Sequence, residues 1–409
     1  MTDINEAIQE MYQKSMQLQS LSYGDPGRAA ARASATPQQM YADLAAQCPV
    51  QHHGDNLYTL SSREDILFAN KHRNVEQGSR FLGSDRPAIP LGLDGEEHRK
   101  YRRLLDPVFA PKRIAPLEAG VRRLANEMID AFIGSGEVDA YDAWCEPLPS
   151  TIFLSIMGLP MTDRDQFIAF KNRILGTARA ADLSPEQVMA ERMEAVVWMQ
   201  QYFNRDLDAR QAELTARDDM IGWLLTTEVD NERLTRDEVL DILGLLMIAG
   251  LDTVAASLAC FLSYFARNPE QRERIIANPA LIPSAIEELM RFESPVTEGM
   301  RRVVGDVTLP SGTALASGSW LMVSWSAANL DPVAFPNPLA VDFDREPNPH
   351  IGFASGFHRC LGSHLARMEM SVAIAVWHER IPSYHIAAGH ELVYSENPRA
   401  PYRLPLVWP

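Results

Sequence analysis

Phe353-Ala354-Ser355-Gly356-Phe357-His358-Arg359-Cys360-Leu361-Gly362 is the stretch on which the reading of this chain turns. Small residues at 354, 355, 356 and 362 let a loop lie flat against a planar object. Ser363–Val376 follows with a helical pattern, so Cys360 stands at the start of a helix. Helix N-terminal N–H groups stabilise a thiolate and lower its pKa from about 8.5, and the thiolate is the form that ligates a metal. An isolated cysteine in a globular chain is more often an inert buried side chain. The glycine spacing around this one tips the reading toward a ligand.

Upstream lies the longest apolar run, Ile242–Leu251, bracketed by Asp241 and Asp252. Thr235-Arg236-Asp237-Glu238 has the form of a capping box, in which the Thr hydroxyl and the Glu carboxylate satisfy free N–H groups at a helix start. Asn268-Pro269 ends the helix, because the residue before proline disfavours helical dihedrals. The spacing predicts a helix of about 32 residues, roughly 48 Å at ~1.5 Å per residue. Its centre is apolar nearly all round, which predicts burial on every face. A buried Asp252 must be paired, neutral or beside water, and Gly250 costs about 1 kcal/mol against Ala in a helix interior. Two readings stay open there: a distortion where something approaches the backbone, or a packing site at which Thr253 bonds back to a carbonyl one turn earlier. Glu288 and Arg291, spaced i,i+3, are by themselves an ordinary solvated pair.

The rest of the chain bounds these features. It has 409 residues, 46% apolar and 22% charged, values of a globular protein with a sizeable core. Its 38 basic against 54 acidic side chains give a formal net charge of −16, which argues against a nucleic-acid partner. Four cysteines, Cys48, Cys145, Cys260 and Cys360, contain no CxxC pair and argue against a disulfide scaffold or structural zinc. The start Met1-Thr2-Asp3-Ile4-Asn5-Glu6 lacks the basic and apolar regions of a signal peptide. The apolar run is about half of the ~20 residues a membrane span needs. A soluble, cytoplasmic protein is expected, with no membrane association. There is no internal repeat or linker, so one contiguous fold is expected. Helical patterns cover Arg113–Ile133, Glu186–Thr215 and Thr235–Arg267. Strand-like pieces are Leu57–Leu60, Val303–Leu309, Trp320–Ser324 and Leu392–Tyr394, with a hairpin turn at Pro310-Ser311-Gly312. The fold class is mainly α with a small β region.

Phe353–Gly362 resembles the cysteine-ligand loop of the haem-thiolate monooxygenases, the cytochrome P-450 superfamily, and within it the soluble bacterial enzymes. The pattern there is Phe-Gly-x-Gly-x-(His/Arg)-x-Cys-x-Gly. Ala249-Gly250-Leu251-Asp252-Thr253 is similar to that family's (Ala/Gly)-Gly-x-(Asp/Glu)-Thr, and Glu288/Arg291 to its Glu-x-x-Arg. All three stand in the family's order. Ala354 departs from the pattern, standing where the family usually has glycine.

The resemblance implies a triangular, helix-rich single domain around a buried haem. The domain would span 35–409, after an N-terminal segment 1–34 that is partly ordered. Its helical core would lie at about 95–300 and 355–380, its β-rich parts at about 50–65, 300–325 and 385–409. Cys360 would be the axial thiolate of haem b, the protein's metal ligand, whose electron donation favours O–O cleavage. Phe353 and Gly362 frame that loop. His98, Arg102, Arg301 and His358 would hold the propionates. Ala249 and Gly250 would line the opposite haem face and leave room for dioxygen. Thr253 would donate a hydrogen bond there, and Asp252 would relay protons through water. Glu288, Arg291 and Arg345 would form a structural network behind the ligand loop.

Substrate contacts implied by analogy are Phe81, Leu82, Leu243, Leu246, Met247, Val296, Met300 and Tyr394, each equally readable as core. Arg80 or Arg86 would be a carboxylate anchor or merely solvated. The expected function is hydroxylation, epoxidation or O-dealkylation of a small hydrophobic terpenoid, steroid or aromatic compound by a monomeric enzyme. Electrons would come from a ferredoxin and ferredoxin reductase, with NAD(P)H used only indirectly. Lys100, Arg103, Lys112, Arg113, Arg359 and Arg367 are either a docking patch for an acidic ferredoxin or a solvated face. The alternatives are a peroxide-driven peroxygenase, a non-catalytic haem-thiolate sensor and a helical protein without cofactor.

Overall fold

The protein is described by a computed structural model covering residues 13–14, 16–77, 86–175, 184–212, 217–230 and 232–409. The helices that bear on the site are α1 (Pro26–Ala33), α2 (Gln38–Gln47), α3 (Gly95–Leu105), α4 (Pro147–Met157), α5 (Arg164–Leu175), α6 (Pro185–Ala212), α7 (Arg236–Arg267), α8 (Ile282–Glu293) and α9 (Ser363–Arg380). The capping box at the head of α7 is formed: the Thr235 amide donates to Glu238 Oε2 at 2.6 Å and the Glu238 amide to Thr235 Oγ1 at 3.2 Å. The expected helix 113–133 is broken instead into Pro111–Ile114, a 3-10 turn Ala115–Leu117 and a helix Glu118–Asp130. Pro116, which has no N–H to donate, sits at the break.

The chain folds into two compact units. The first is built from Gly78–Val108 and Pro147–Asp252, the second from Tyr12–Gln77, Phe109–Glu146 and Thr253–Pro409. The boundary falls between Asp252 and Thr253, inside the continuous helix α7. The described part of the N-terminal segment belongs to the second unit.

In the first unit an aromatic cluster joins α5 to α6. Phe167 lies 5.3 Å from Trp198 and 4.8 Å from Tyr202, and Phe170 lies 5.7 Å from Trp198, all in edge-on or tilted geometries that aromatic quadrupoles favour. Gly250 lets α4 approach α7, since a Cβ there would stand 2.5 Å from the Phe153 ring.

The second unit holds a five-stranded sheet of β1 (Val50–His52), β2 (Leu57–Leu60), β3 (Val75–Glu76), β4 (Glu298–Val303) and β5 (Trp320–Ser324), in the order β1-β2-β5-β4-β3. β1 and β2 form a hairpin, with Asp55 and Asn56 in the left-handed conformation its turn requires. β5 runs parallel to β2 and antiparallel to β4, and β3 adds antiparallel to β4. One face packs on Leu60, Ile66, Val303, Leu321, Val323 and Trp325. The expected strand 392–394 is only an isolated bridge between Tyr394 and Pro401. The turn at 310–312 connects a small antiparallel ladder, Val307–Thr308 with Ala314–Leu315. Arg32 of α1 is buried against Glu298 at 3.2 Å with its guanidinium 4.1 Å from the Tyr23 ring, which ties the N-terminal segment to β4.

Among the described residues α7 is long and apolar enough to cross a membrane, yet 72% of its most apolar window is buried inside the protein.

Candidate active site

The ligand loop is braced from both ends. The Cys360 amide donates to the Phe353 carbonyl at 2.9 Å and the Ala354 amide to Ile351 at 2.9 Å, closing the loop on itself before α9 begins. Ala354 sits at φ 56°, so the position that departs from the family pattern carries a left-handed backbone. Gly356 is also left-handed, and a Cβ there would fall 2.3 Å from the Asn70 carbonyl. Arg367, on the first turns of α9, stacks 4.3 Å over Phe353 and grips Glu287 of α8 at 2.6 and 2.8 Å. His350 reaches the same carboxylate at 2.8 Å. Burial works against the charge of Glu287, but the bonds from Arg367 and His350 hold its pKa down at about 2. Arg367 is therefore a brace of the loop, which corrects its place among the docking cations. Lys112, Arg113 and Arg359 are exposed on the same unit.

Behind the loop the structure brings together buried Glu288 and Arg291 with partly buried Arg345. Arg291 donates to both Glu288 oxygens at 2.9 and 2.7 Å, and Arg345 Nε reaches both at 3.1 Å. Asn348 and the Asp342 amide add two more donors. Arg291 also donates to the carbonyls of Asn329, Pro338 and Ala340. The pair that reads as commonplace in the sequence is thus a buried hub between α8 and the segment 338–348.

Among the four cysteines Cys360 alone is exposed. Burial pushes the Cys145 thiol well above its ordinary value and the Cys260 thiol up to about 12, so neither supplies a thiolate at neutral pH. A Cβ on Gly362 would meet nothing within 4 Å. An exposed cysteine on a loop of small residues, with arginine and histidine side chains for two carboxylates, fits a b-type haem. The second unit carries Arg301 on β4 and His358 in the single turn Gly356–His358. Arg301 Nε donates to Asn70 Oδ1 at 3.2 Å, and its guanidinium lies 5.8 Å from the Trp325 ring. The first unit carries buried His98 and half-buried Arg102 on α3, with Arg102 Nε donating to Asp106 at 2.7 Å.

On α7 the expectation of burial all round fails along one stripe. Leu245, Ala249 and Thr253, four residues apart, remain partly or fully open, whereas Leu243 and Met247 are wholly buried and Leu246 nearly so. Helical phase explains this: residues four apart share a face, and Leu243 and Met247 lie on the opposite one. These two are core residues. Tyr394 is another correction, because its hydroxyl meets Ser263 at 2.6 Å and its ring lies 4.1 Å from buried Arg399. Met300 and Arg301 are successive residues of β4 and so occupy opposite faces. Val296 packs against the sheet core. Arg86 is engaged by Asp237 at 2.6 Å and Asp241 at 2.8 Å, which corrects its reading as a ligand anchor. Phe81, Leu82 and Arg80 lie outside the described residues.

Asp252 is buried and meets Lys171 of α5, equally buried, at 2.7 Å. Ser257 Oγ donates to the Thr253 carbonyl at 2.7 Å, the same kind of back-bond that the packing reading assigned to Thr253. Sequence reasoning missed Lys171, Asn70 and Leu245. Lys171 had a signal, a lysine closing the apolar stretch Phe167-Ile168-Ala169-Phe170, and Leu245 had its four-residue spacing to Ala249. Asn70 had none.

An exposed cysteine at the head of α9, a buried acid beside an alcohol in the middle of a long helix, and a mainly helical fold with a small mixed sheet define a haem-thiolate protein. The cytochrome P-450 family model matches residues 55–377, and the chain belongs to that family. It is 34% identical over 387 residues to a mycinamicin IV hydroxylase/epoxidase of Micromonospora griseorubida, covering 90% of this chain and 94% of that one. It is 30% identical to a steroid C26-monooxygenase of Mycobacterium tuberculosis, covering 88% and 90%. Among solved structures, a myxobacterial cytochrome P-450 in complex with myristic acid matches with a TM-score of 0.83 at 28% identity, covering 92% and 97%. A Bacillus megaterium protein in complex with testosterone matches with a TM-score of 0.82 at 26% identity, covering 92% and 98%. The protein is accordingly an oxidoreductase of the P-450 monooxygenase family, with haem held by a cysteine thiolate.

Proposed function

We propose that this enzyme hydroxylates or epoxidises a small hydrophobic molecule, of terpenoid, steroid or aromatic type, with electrons from a ferredoxin and its NAD(P)H-dependent reductase. The observation that carries the reading is Asp252: a carboxylate buried in the middle of α7, beside Thr253, with one side-chain bond among the described residues, from Lys171 to Oδ1. A binding or sensing protein has no use for a proton-handling acid at that position. The relatives include a steroid C26-monooxygenase and a protein bound to testosterone, and the open apolar stripe Leu245–Ala249 suits ligands of that apolar kind. Exposed Lys112, Arg113 and Arg359 support docking of an acidic electron donor. The burial of α7 supports its reading as a core helix, and we take the enzyme to work in the cytoplasm as a monomer.

When bound, the haem supplies dioxygen activation. Cys360 would ligate it, and His98, Arg102, Arg301 and His358 would offset the propionate charge, as the family resemblance implies. Lys171 keeps Asp252 in position through Oδ1 and leaves Oδ2 to pass a proton by way of water to the Thr253 hydroxyl. The apolar stripe orients the substrate and excludes bulk water.

Titrating the holoenzyme with terpenoids, steroids and aromatic compounds, and recording the Soret shift, tests the substrate class. At least one class is expected to give a saturable shift and an oxygenated product with ferredoxin, reductase and NAD(P)H. Product formed with peroxide but never with the ferredoxin system would overturn the proposal, as would reduction rates that ignore ionic strength for the docking patch.

A further inference from the structure

Asn70 is a buried amide at the C-terminal cap of the helix Arg63–Ala69. Its backbone N–H is spent on the Ile66 carbonyl at 3.0 Å, so the residue is fixed by its own helix before its side chain is considered. Both ends of that side chain are then used. Oδ1 accepts from Arg301 Nε at 3.2 Å, and Nδ2 donates to Ser355 Oγ at 3.0 Å. Its carbonyl also lies so close to Gly356 that no side chain fits there. A few residues on, the chain enters β3, which pairs with β4, the strand bearing Arg301. One residue therefore touches the strand that carries a cofactor cation and the loop that carries the cysteine.

We infer that Asn70 is a positioning residue that locks Arg301 and the Cys360 loop into one rigid register. This rests on the haem-thiolate reading of Cys360 and deepens it: the loop whose cysteine would ligate the haem and the arginine that would meet a propionate are set by a shared amide, not independently. A bond from Asn70 fixes Ser355, five residues before the ligand, and a second fixes the guanidinium. Loss of the amide frees both together.

The test uses holoenzyme variants Asn70→Ala, Asn70→Asp and Ser355→Ala, and the double variant Asn70→Ala/Ser355→Ala. Two readouts are followed: the fraction of protein giving the red-shifted Soret band of the reduced, CO-bound thiolate form, and the rate of haem transfer to apomyoglobin. Asn70→Ala is expected to lose part of that band and to release haem roughly tenfold faster, the size expected for two buried hydrogen bonds. Asn70→Asp keeps an acceptor for Arg301 and can accept from the Ser355 hydroxyl in turn, so it should stay close to the wild type, whereas Ser355→Ala loses one of the two bonds and should release haem at an intermediate rate. The double variant should be no worse than Asn70→Ala, because both changes remove the same bond. Full additivity of the two substitutions would overturn the inference. So would a lowered melting temperature with unchanged band and haem release, the mark of a residue that merely supports the fold. If Asn70→Ala does not accumulate, the comparison of Asn70→Asp with Ser355→Ala decides the same question. Absence of the thiolate band in the wild-type enzyme would instead refute the reading of Cys360.

Discussion

Two buried carboxylates, Glu288 and Asp252, show how the number of donors separates scaffold from chemistry. Glu288 accepts from Arg291, Arg345, Asn348 and the Asp342 amide, so both oxygens are saturated. Asp252 meets a single side chain among the described residues, Lys171, through one oxygen. A saturated carboxylate cannot take up or release a proton without breaking the bonds that hold it, and it contributes order to the fold. In our proposal Asp252, held by one oxygen, keeps the other for a moving proton. Both are ion pairs in the interior, where an unpaired charge is costly and the geometry of its partners decides what it does.

The two carboxylates part most visibly when the hub is broken. Arg291→Met leaves Glu288 and its remaining partners mismatched in the interior and should destabilise the protein by about 3–5 kcal/mol. Urea unfolding should show a lower midpoint at unchanged slope, with little holoprotein recovered. Asp252→Asn keeps the shape of the side chain and removes its titration. Turnover should fall by about a hundredfold or more with the substrate-induced Soret shift intact. Thr253→Ala should consume reductant without equivalent product, and full coupling in that variant would remove Thr253 from the proton path.

A smaller effect contrasts two further glutamates, one on α9 and one on α8. Glu369 of α9 is buried, and desolvation raises its pKa to about 8, so it is mostly neutral in the folded protein at neutral pH. Its folded pKa exceeds its unfolded one, so the stability it lends at low pH is lost as pH rises from about 4.5 to about 8. Glu369→Gln should gain on the wild type by about 3 kcal/mol at pH 7 relative to pH 4. Glu287, held down at about 2, has the opposite sign: its contribution is present above the unfolded pKa and lost as pH falls toward about 2. Glu287→Gln should therefore cost stability at neutral pH and little in acid, by an amount reduced because about a third of the side chain meets solvent. Parallel pH–stability curves for the two variants would sink the distinction. The smallest effect belongs to Ala354, whose left-handed backbone at φ 56° costs an L-residue about 1 kcal/mol. Ala354→Gly should slow haem release a few-fold, and faster release would show that the methyl group tightens the loop.

Much of the site was legible because its residues lie in short, contiguous patterns. The loop 353–362, the capping box at 235–238 and the run 249–253 each depend on neighbours along the chain, so local spacing suffices to read them. The network of Glu288, Arg291 and Arg345 was legible only through the family resemblance, and Asn348 and the Asp342 amide not at all, because they come from a segment more than 50 residues away. Leu243, Met247 and Tyr394 resemble substrate contacts in the sequence because apolar residues near a motif look alike there. Only helical phase and the Ser263–Tyr394–Arg399 packing show which way they turn.

By itself the sequence determined the long helix, whose cap and stop act over a few residues, while the resemblance carried by three short motifs implied the ligand cysteine, the acid–alcohol pair and the class of chemistry. The tertiary structure alone decided which buried carboxylates are saturated and which meet a single side chain among the described residues. It also decided which stripe of the long helix stays open, and that Asn70 joins the ligand loop to Arg301. These depend on side chains brought within about 3 Å from distant parts of the chain, and hydrogen bonds act only at that range.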